Sequence, residues 1–457
     1  MMLCSAQRMS YLTHKEVKIM NSYTLSVGKF VSEHPEKKVQ NIARYLNESN
    51  LKEAFKRLRS NSASGIDKMT KAEYAENLEE NIRNLHCRLV HMTYMPKPSK
   101  RVYIPKPGSE KKRPLGIPAI EDKIVQYIIA DVLNAIYEPM FVNESYGFRP
   151  NRSCHDAIIY LRNTITTRKV NYVVDADIRG FFDNIDHEWM MRFLEYRIED
   201  KRFLEIIRRF LKAGIIEDEM FYDSDKGSPQ GGVISPILAN IYLHFVQDLW
   251  VEKIVKPRAR GEVYYVRYAD DSQVCFQYKD DAQRYYEGLK ARLGKFGLEV
   301  AEEKTRIVKF GRFAKSDIRK VNKKGNPEVF SFLGFTFYCS ETKSTHKFTV
   351  KIKTDAKKLH AKMKKASAWL RSVRHKPVGW IIDMINASLR GHYRYYGVSD
   401  NSNSMFKFRS HIIRMLYKNL KRRGNRHPLT WERFLTILEY NPIMNPKIYL
   451  RLYHDTI

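Results

Sequence analysis

Two adjacent aspartates, Asp270 and Asp271, constrain the fold of this chain more than any other feature. They lie between two runs rich in β-branched and aromatic residues, 263–266 and 274–276, a pattern that predicts a strand, a tight turn and a second strand. Neighbouring carboxylates at a hairpin tip repel each other, and a divalent cation that prefers oxygen ligands, such as Mg²⁺, would relieve that repulsion. The alternative is an ordinary acidic turn, because Asp is favoured in turns. A metal site therefore needs further carboxylates nearby.

A third carboxylate follows a second apolar run. Residues 171–178 are predicted to form a buried strand, and Asp177 lies near its end. Phosphoryl transfer with two metal ions needs several carboxylates around ions about 3.5–4 Å apart. Asp177, Asp270 and Asp271 are therefore the candidate catalytic and metal-binding residues. Asp177 could instead belong to a surface turn or cap a helix.

Five further residues have the chemistry to bind a nucleotide. Lys106 and Arg113 flank the turn of a predicted hairpin, and paired cations suit a triphosphate, although a template backbone is an alternative partner. Phe182 could lie beneath the sugar and exclude a 2′-hydroxyl, or it could be a core residue. Gln230, in a glycine-rich loop, could hydrogen-bond a nucleotide or a template base. Lys304 could donate a proton to the leaving pyrophosphate.

Hydrophobic periodicity places these residues among alternating helices and strands, which predicts an α+β chain. Apolar positions recur at helical spacing over 122–141, and a second helix is predicted over 236–249 with Ser235 as its N-cap. Residues 333–334 are predicted to form another tight turn, at which glycine permits close backbone approach.

The positive charge of the chain predicts a polyanionic partner. Lys and Arg outnumber Asp and Glu by 81 to 51, a net charge of +30, and neutralising phosphates releases counterions. The segment 351–426 alone carries 20 Lys and Arg against three acids, with aromatic residues between them. This pattern is typical of nucleic-acid contact, although a solvated helix face is the alternative. The predicted nucleic-acid-binding residues are Tyr268, Leu333, Gly334, Arg390, Tyr393 and Tyr396.

Composition argues against a membrane protein and against an oxidising compartment. No stretch approaches about 20 consecutive apolar residues, and the N-terminus lacks the apolar core of a signal peptide. The five cysteines are scattered, which predicts a reducing compartment and no cysteine-based zinc site. We expect the protein in a bacterial-type cytoplasm or an organelle matrix, with no membrane partner.

In their order along the chain, these motifs resemble those of group II intron-encoded reverse transcriptases, also called maturases. The resemblance implies a right-hand polymerase with a leader at 1–45, fingers and palm at 46–345, a basic helical thumb or maturase domain at 346–425, and a tail at 426–457 without an endonuclease domain. The residues that carry it are Asn61 to Asp67, Lys106, Arg113, Tyr146 to Pro150, Asp177 to Phe182, Pro229 to Gly232, Tyr268 to Asp271, Lys304, Leu333, Gly334 and Leu389 to Gly397.

The resemblance implies an RNA-directed DNA polymerase, a nucleotidyltransferase that extends a primer with dNTPs on an RNA template. Two Mg²⁺ ions, which Mn²⁺ could replace, would be held by the three aspartates and a backbone carbonyl of Ile178. The partners would be intron RNA in a ribonucleoprotein, a primer–template and target DNA, and the activities would be splicing assistance and retrotransposition. Two alternatives stay open: an RNA-binding maturase without polymerase activity, and a related reverse transcriptase recruited to defence, repair or diversity generation.

Overall fold

The computed structural model describes residues 22–105, 112–217, 220–222, 226–227, 231–320, 325–342, 345–423 and 429–452. Helices and strands are mixed, in agreement with the predicted α+β class. The helices are α1 (Ser22–Glu33), α2 (Glu48–Arg57), α3 (Lys71–Glu76), α4 (Leu78–Val90), α5 (Ile120–Tyr137), α6 (Cys154–Thr167), α7 (His187–Glu195), α8 (Lys201–Lys212), α9 (Ser235–Leu243), α10 (Lys256–Arg258), α11 (Lys279–Lys295), α12 (Ala314–Lys320), α13 (Ala356–Ser372), α14 (Val378–Tyr396), α15 (Ser402–Leu420) and α16 (Trp431–Tyr440).

The described strands form three sheets. Their orders are β2-β1-β4-β5, β6-β7-β3-β8, called here the central sheet, and β11-β10-β9. The strands are β1 (Ser99–Pro105), β2 (Lys112–Ile117), β3 (Tyr172–Ala176), β4 (Ile215–Glu217), β5 (Met220–Tyr222), β6 (Val263–Tyr268), β7 (Asp271–Phe276), β8 (Arg306–Lys309), β9 (Phe330–Phe332), β10 (Phe335–Glu341) and β11 (Phe348–Thr354).

The central sheet is covered on both faces, which explains the consecutive apolar residues in β3 and in the second half of β7. Neighbouring residues on a strand point to opposite faces, and in β3 Val173 and Val174 lie in two different hydrophobic clusters. Cys275 and Val274 of β7 divide in the same way. The main cluster contains helices α5 and α9, whereas the other contains α6 and the β9–β11 sheet. The strand ends are therefore fixed by packing from both sides.

The two predicted helices are present with altered bounds. The helix predicted over 122–141 is α5, which spans Ile120–Tyr137. The helix predicted over 236–249 begins at Ser235, and its α-helical part ends at Leu243, after which the turns from His244 to Asp248 are π-helical. Ser235 is not the N-cap, because that position belongs to Ile234. The side chain of Gln126 on α5 accepts a hydrogen bond from the Val233 amide at 2.8 Å. A residue of another helix therefore pairs with a backbone amide just before α9 begins.

Helices α13–α16, called here the C-terminal helical region, have a hydrophobic core of their own. Phe434 and Ile443, from the predicted tail, are buried in that core. At the other end of the chain, Tyr23 and Val27 of α1 lie in the same cluster as α5. Packing thus continues across both predicted terminal boundaries. Within the described ranges, no helix is long and apolar enough to cross a membrane.

Candidate active site

The two aspartates lie on the predicted hairpin. Strands β6 and β7 pair Tyr268 with Asp271, so Ala269 and Asp270 are the two turn residues. Ala269 has φ +56°, in the left-handed region that is unfavourable for residues with a Cβ atom. Such a conformation persists only where the surroundings enforce it.

Gly147, from the segment Tyr146 to Pro150, packs directly against this turn. A Cβ atom at Gly147 would lie 2.2 Å from the Ala269 amide nitrogen, so only glycine fits. The amide of Tyr146 also donates to the Arg267 carbonyl at 2.8 Å. The segment that sequence reasoning gave no role therefore supports the aspartate turn through its backbone.

Asp177 lies beside the aspartate pair. Strand β3 runs antiparallel to β7 and pairs Ala176 with Ser272, so the next residues on each strand, Asp177 and Asp271, meet at one edge of the central sheet. The backbone of Asp177 is fixed because its carbonyl accepts from the Ala301 amide at 2.8 Å. Ile178 follows, with a buried side chain and a backbone bridge to Val300. The three candidate carboxylates therefore share one edge.

The electrostatics of this edge favour a bound cation. Burial raises the pKa of Asp271 to about 7, and repulsion from Asp270 and then Asp177 adds to the increase. The pKa of Asp270 is also raised, mainly by burial and further by Asp177. The Asp271 side chain keeps access to solvent, although the surrounding protein desolvates its carboxylate. A divalent cation would favour the ionised form of each of the three carboxylates. Their oxygen atoms are ligands of the kind that Mg²⁺ prefers.

Lys304 lies at the same edge and forms an ion pair with Oδ2 of Asp177. This hydrogen bond raises the pKa of Lys304. Although the three aspartates share one edge, no group of three or more His, Cys, Asp or Glu side chains in the described residues is arranged to hold a metal ion, and Asp177 is paired with Lys304 instead. A cation that bound Asp177 would therefore compete with Lys304 for this carboxylate.

The other nucleotide-binding candidates are placed unequally. Phe182 is half-buried and its ring centroid lies 5.2 Å from that of Phe181, which is buried in the core. Arg113 is exposed on β2, and its positive charge partly offsets the increase in the pKa of Asp270. Lys106 and Gln230 lie outside the described residues.

The glycine-rich loop that precedes α9 meets the β1–β2 hairpin. A Cβ atom at Gly231 would lie 2.6 Å from the carbonyl oxygen of Gly116 on β2. The loop predicted to bind a nucleotide and the hairpin predicted to bind a triphosphate are therefore neighbours.

The turn at Leu333 and Gly334 joins β9 to β10 and rests on α14. Both residues have positive φ, 49° and 84°, as in two-residue hairpins of the type favoured between antiparallel strands. The Tyr395 hydroxyl donates to the Leu333 carbonyl at 2.7 Å. Lys358 of α13 lies nearby, 3.6 Å from the position that a Cβ atom would take at Gly334. Its positive charge partly offsets the increase in the pKa of Asp271. This turn therefore links the C-terminal helical region to the aspartate edge.

The predicted nucleic-acid contacts of Tyr393 and Tyr396 were wrong. Tyr393 is fully buried, and its hydroxyl donates to the Met444 carbonyl at 3.3 Å. Tyr396 is also buried, with its ring centroid 5.1 Å from that of Phe335. Both rings lie on the inward face of α14, whereas Arg390 is exposed. Tyr268 is half-buried against the same cluster as Tyr396, and its predicted contact stays a prediction.

Sequence reasoning missed a buried polar network beneath the turn. Arg267 is fully buried and donates to both carboxylate oxygens of Asp248, at 2.7 and 2.6 Å. It also donates to Asn240 Oδ1 at 3.1 Å and to the Ala269 carbonyl at 2.9 Å. The available signal was an arginine within an apolar strand run, because a buried charge requires a partner.

A comparison with protein families identifies the chain. The model of the reverse transcriptase (RNA-dependent DNA polymerase) family matches residues 104–337, which include all three aspartates. The chain belongs to the reverse transcriptase family. The matched segment runs from the β1–β2 hairpin to the β9–β11 sheet and thus contains the whole central sheet.

Relatives of this reverse transcriptase include intron-encoded proteins and an intron maturase. It is 31% identical over 427 residues to the group II intron-encoded protein LtrA of Lactococcus lactis subsp. cremoris, with 79% of this chain and 70% of the relative covered. It is 32% identical over 259 residues to the putative COX1/OXI3 intron 1 protein of Saccharomyces cerevisiae, covering 46% and 31%. The nuclear intron maturase 3 of Arabidopsis thaliana is 28% identical over 177 residues, covering 34% and 24%. The chain therefore also belongs to the family of group II intron-encoded proteins.

Proposed function

We propose that this reverse transcriptase extends a DNA primer on an RNA template by nucleotidyl transfer. The observation that carries the proposal is the meeting of Asp177, Asp270 and Asp271 at one edge of the central sheet, where burial and then mutual repulsion raise the pKa of Asp271. Three carboxylates at one edge, supported on a rigid sheet, are suited to the positioning and charge neutralisation on which phosphoryl transfer depends.

Two Mg²⁺ ions, for which Mn²⁺ could substitute, would neutralise charge on the attacking and leaving oxygens when bound. Asp177, Asp270 and Asp271 would hold them, with the carbonyl of Ile178 as an additional oxygen ligand. The strained turn at Ala269 would hold the two neighbouring carboxylates in fixed directions. The three aspartates would thus supply negative charge in a fixed arrangement.

The surrounding residues would bind and orient the nucleotide. Arg113 and Lys106 would grip the triphosphate, with Gln230 in the nucleotide pocket and Phe182 against the sugar. Lys304 would be the proton donor to the leaving pyrophosphate, because its ammonium group lies beside Asp177 at the same edge. The roles of Arg113, Phe182 and Lys304 follow from position and side-chain chemistry, whereas those of Lys106 and Gln230 rest on side-chain chemistry alone.

The partner would be group II intron RNA, with a primer–template and target DNA bound in turn. The names of LtrA and the intron maturase support this assignment, as does the basic segment 351–426. The β1–β2 hairpin and central sheet would be the fingers and palm within 46–345, and the C-terminal helical region would supply the thumb of 346–425. We propose that it assists splicing and retrotransposition in the cytoplasm.

The test is DNA synthesis by Asp270→Ala on poly(rA)/oligo(dT) with Mg²⁺. We expect synthesis to be abolished, because one metal-binding carboxylate is lost, while binding to intron RNA is retained. Asp280→Ala is the control, since Asp280 is an exposed acid on α11 that pairs with Arg260. Synthesis at the wild-type level by Asp270→Ala would contradict the metal assignment. A wild-type protein that binds the intron but makes no DNA would favour a maturase without polymerase activity.

A further inference from the structure

A fully buried ion pair lies directly behind the aspartate turn. Arg267 and Asp248 have no exposed side-chain surface, and their two hydrogen bonds form a bidentate pair of the strong, geometrically specific kind. Tyr265 adds a hydrogen bond to Asp248 Oδ1 at 2.7 Å. His244 lies 3.9 Å from Asp248, and burial lowers its pKa to about 4. Because this histidine is neutral at pH 7, the charge of Asp248 is balanced by Arg267.

The ion pair is connected to the turn by two routes. In the first, Nη1 of Arg267 donates to the carbonyl of Ala269, the residue with positive φ. In the second, Nη1 also donates to Asn240, whose Nδ2 donates to the Gly147 carbonyl at 2.7 Å. Gly147 in turn packs against the Ala269 amide. The turn is therefore held at its carbonyl by Arg267 and at its amide by a glycine that the same network fixes.

We propose that Arg267, held by Asp248 and Asn240, is a positioning residue that fixes the turn at Ala269 and thereby sets the affinity of the aspartate site for divalent cations. This inference rests on the proposed polymerase function. Arg267 touches neither substrate nor metal in this scheme; it acts through the backbone on which Asp270 and Asp271 are carried.

Stability alone is a weak explanation for such a network. A buried ion pair is frequently no more stabilising than apolar residues of similar volume, so packing does not require these charges. The planar fork of arginine, in contrast, is needed to donate to Asp248, Asn240 and Ala269 at once, because lysine is a compact point charge. Partners behind metal ligands orient those ligands, and their loss typically lowers metal affinity about 10- to 100-fold.

The test compares the wild-type chain with Arg267→Met/Asp248→Leu, which removes both charges together and so avoids an unpaired buried charge. Mn²⁺ binding to the full chain is measured by electron paramagnetic resonance, and primer extension is measured as a function of Mg²⁺ concentration. We expect the Mn²⁺ affinity to fall about 10- to 100-fold and the Mg²⁺ requirement to rise accordingly. Affinity for the primer–template, measured by fluorescence anisotropy, should be unchanged.

The matched control is Arg57→Met/Asp131→Leu. This ion pair joins α2 to α5 and also receives a tyrosine hydroxyl, from Tyr23, as Asp248 does from Tyr265. Its removal should leave Mn²⁺ affinity at the wild-type value. Arg267→Lys is the second test variant, because it keeps a positive charge opposite Asp248 but cannot form all four hydrogen bonds.

The outcomes separate the two proposals. If the folded double variant or Arg267→Lys has the Mn²⁺ affinity of the wild type, the positioning role is overturned. DNA synthesis by the wild type would still support the proposed function in that case. Unfolding of both variants would show that the network is structural, and it would also overturn the inference. A wild-type chain that makes no DNA would overturn the proposed function and, with it, this inference.

Discussion

The central sheet and the C-terminal helical region arrange their polar and aromatic residues in opposite ways. At the edge of the central sheet, the acidic motif residues meet where two strands end, and a buried network lies behind them. In the C-terminal helical region, the aromatic motif residues Tyr393 and Tyr396 are interior and cations such as Arg390 are outside. The motif in the sheet therefore brings its acidic residues together at one edge, whereas the motif in the helices combines core residues with exposed cations.

Loss of a carboxylate in the sheet should give the largest effect. Asp271→Asn removes one negative charge with little change in volume, and we expect DNA synthesis to fall by at least about 10³-fold, as when a key electrostatic group is removed from an active site. Steady-state primer extension at saturating Mg²⁺ measures this. The matched change is Asp280→Asn, which should retain wild-type synthesis. Near-normal activity of Asp271→Asn would remove the chemical distinction between the two regions.

Loss of an aromatic core residue in the helices should instead change stability. Tyr393→Ala leaves a cavity, and we expect the free energy of unfolding to fall by about 3–5 kcal/mol. Urea unfolding followed by circular dichroism measures this effect. Tyr440→Ala is the control, because Tyr440 is 82% exposed, and it should have a small effect. Equal stability of the two variants would contradict the buried position of Tyr393.

The two regions should also differ in their response to an added methyl group. Gly147→Ala places a Cβ atom against the aspartate turn, and a displacement of about 1 Å near reacting groups costs about 10²-fold in rate. We expect primer extension to fall by this amount. Gly391→Ala in α14 meets no atom within 4 Å and should leave the rate unchanged. If the two alanine variants had the same rate, close packing behind the turn would have no functional importance.

The smallest expected effect concerns a single surface cation. Arg390→Gln removes one positive charge from α14, and the slope of log affinity for intron RNA against log salt concentration should fall by about 1. Filter-binding titrations at several salt concentrations measure the slope. Lys295→Gln, an exposed lysine of α11 beside the central sheet, is the control. A larger change for Lys295 than for Arg390 would place the RNA on the other region.

Local patterns predicted the elements that position the candidate site. The strand–turn–strand at Asp270 and Asp271 is present, and Asp177 follows a buried strand one position beyond its end. These predictions succeeded because alternation and turn chemistry depend on neighbouring residues. Which helix satisfies the amides at the start of α9 depends on tertiary packing, so Ser235 was assigned a role that Gln126 fills.

Two failures have different physical origins. The network of Arg267 could not be read from the sequence, because Asp248 and Asn240 are 19 and 27 residues away and reach it only in the folded chain. The inward position of Tyr393, in contrast, had a local signal: it is four residues from buried Leu389, which is one helical turn. The prediction relied on the number of aromatic residues in this segment and not on the face of the helix that each residue occupies.

The central claim is that Asp177, Asp270 and Asp271 form one metal site at the edge of the central sheet. Its most direct test is anomalous scattering from crystals of the protein grown with a primer–template, a non-hydrolysable dNTP analogue and Mn²⁺. We predict an anomalous peak about 2–2.5 Å from carboxylate oxygens of both Asp177 and the aspartate pair. Mn²⁺ bound elsewhere, with Lys304 still paired to Asp177, would contradict the claim.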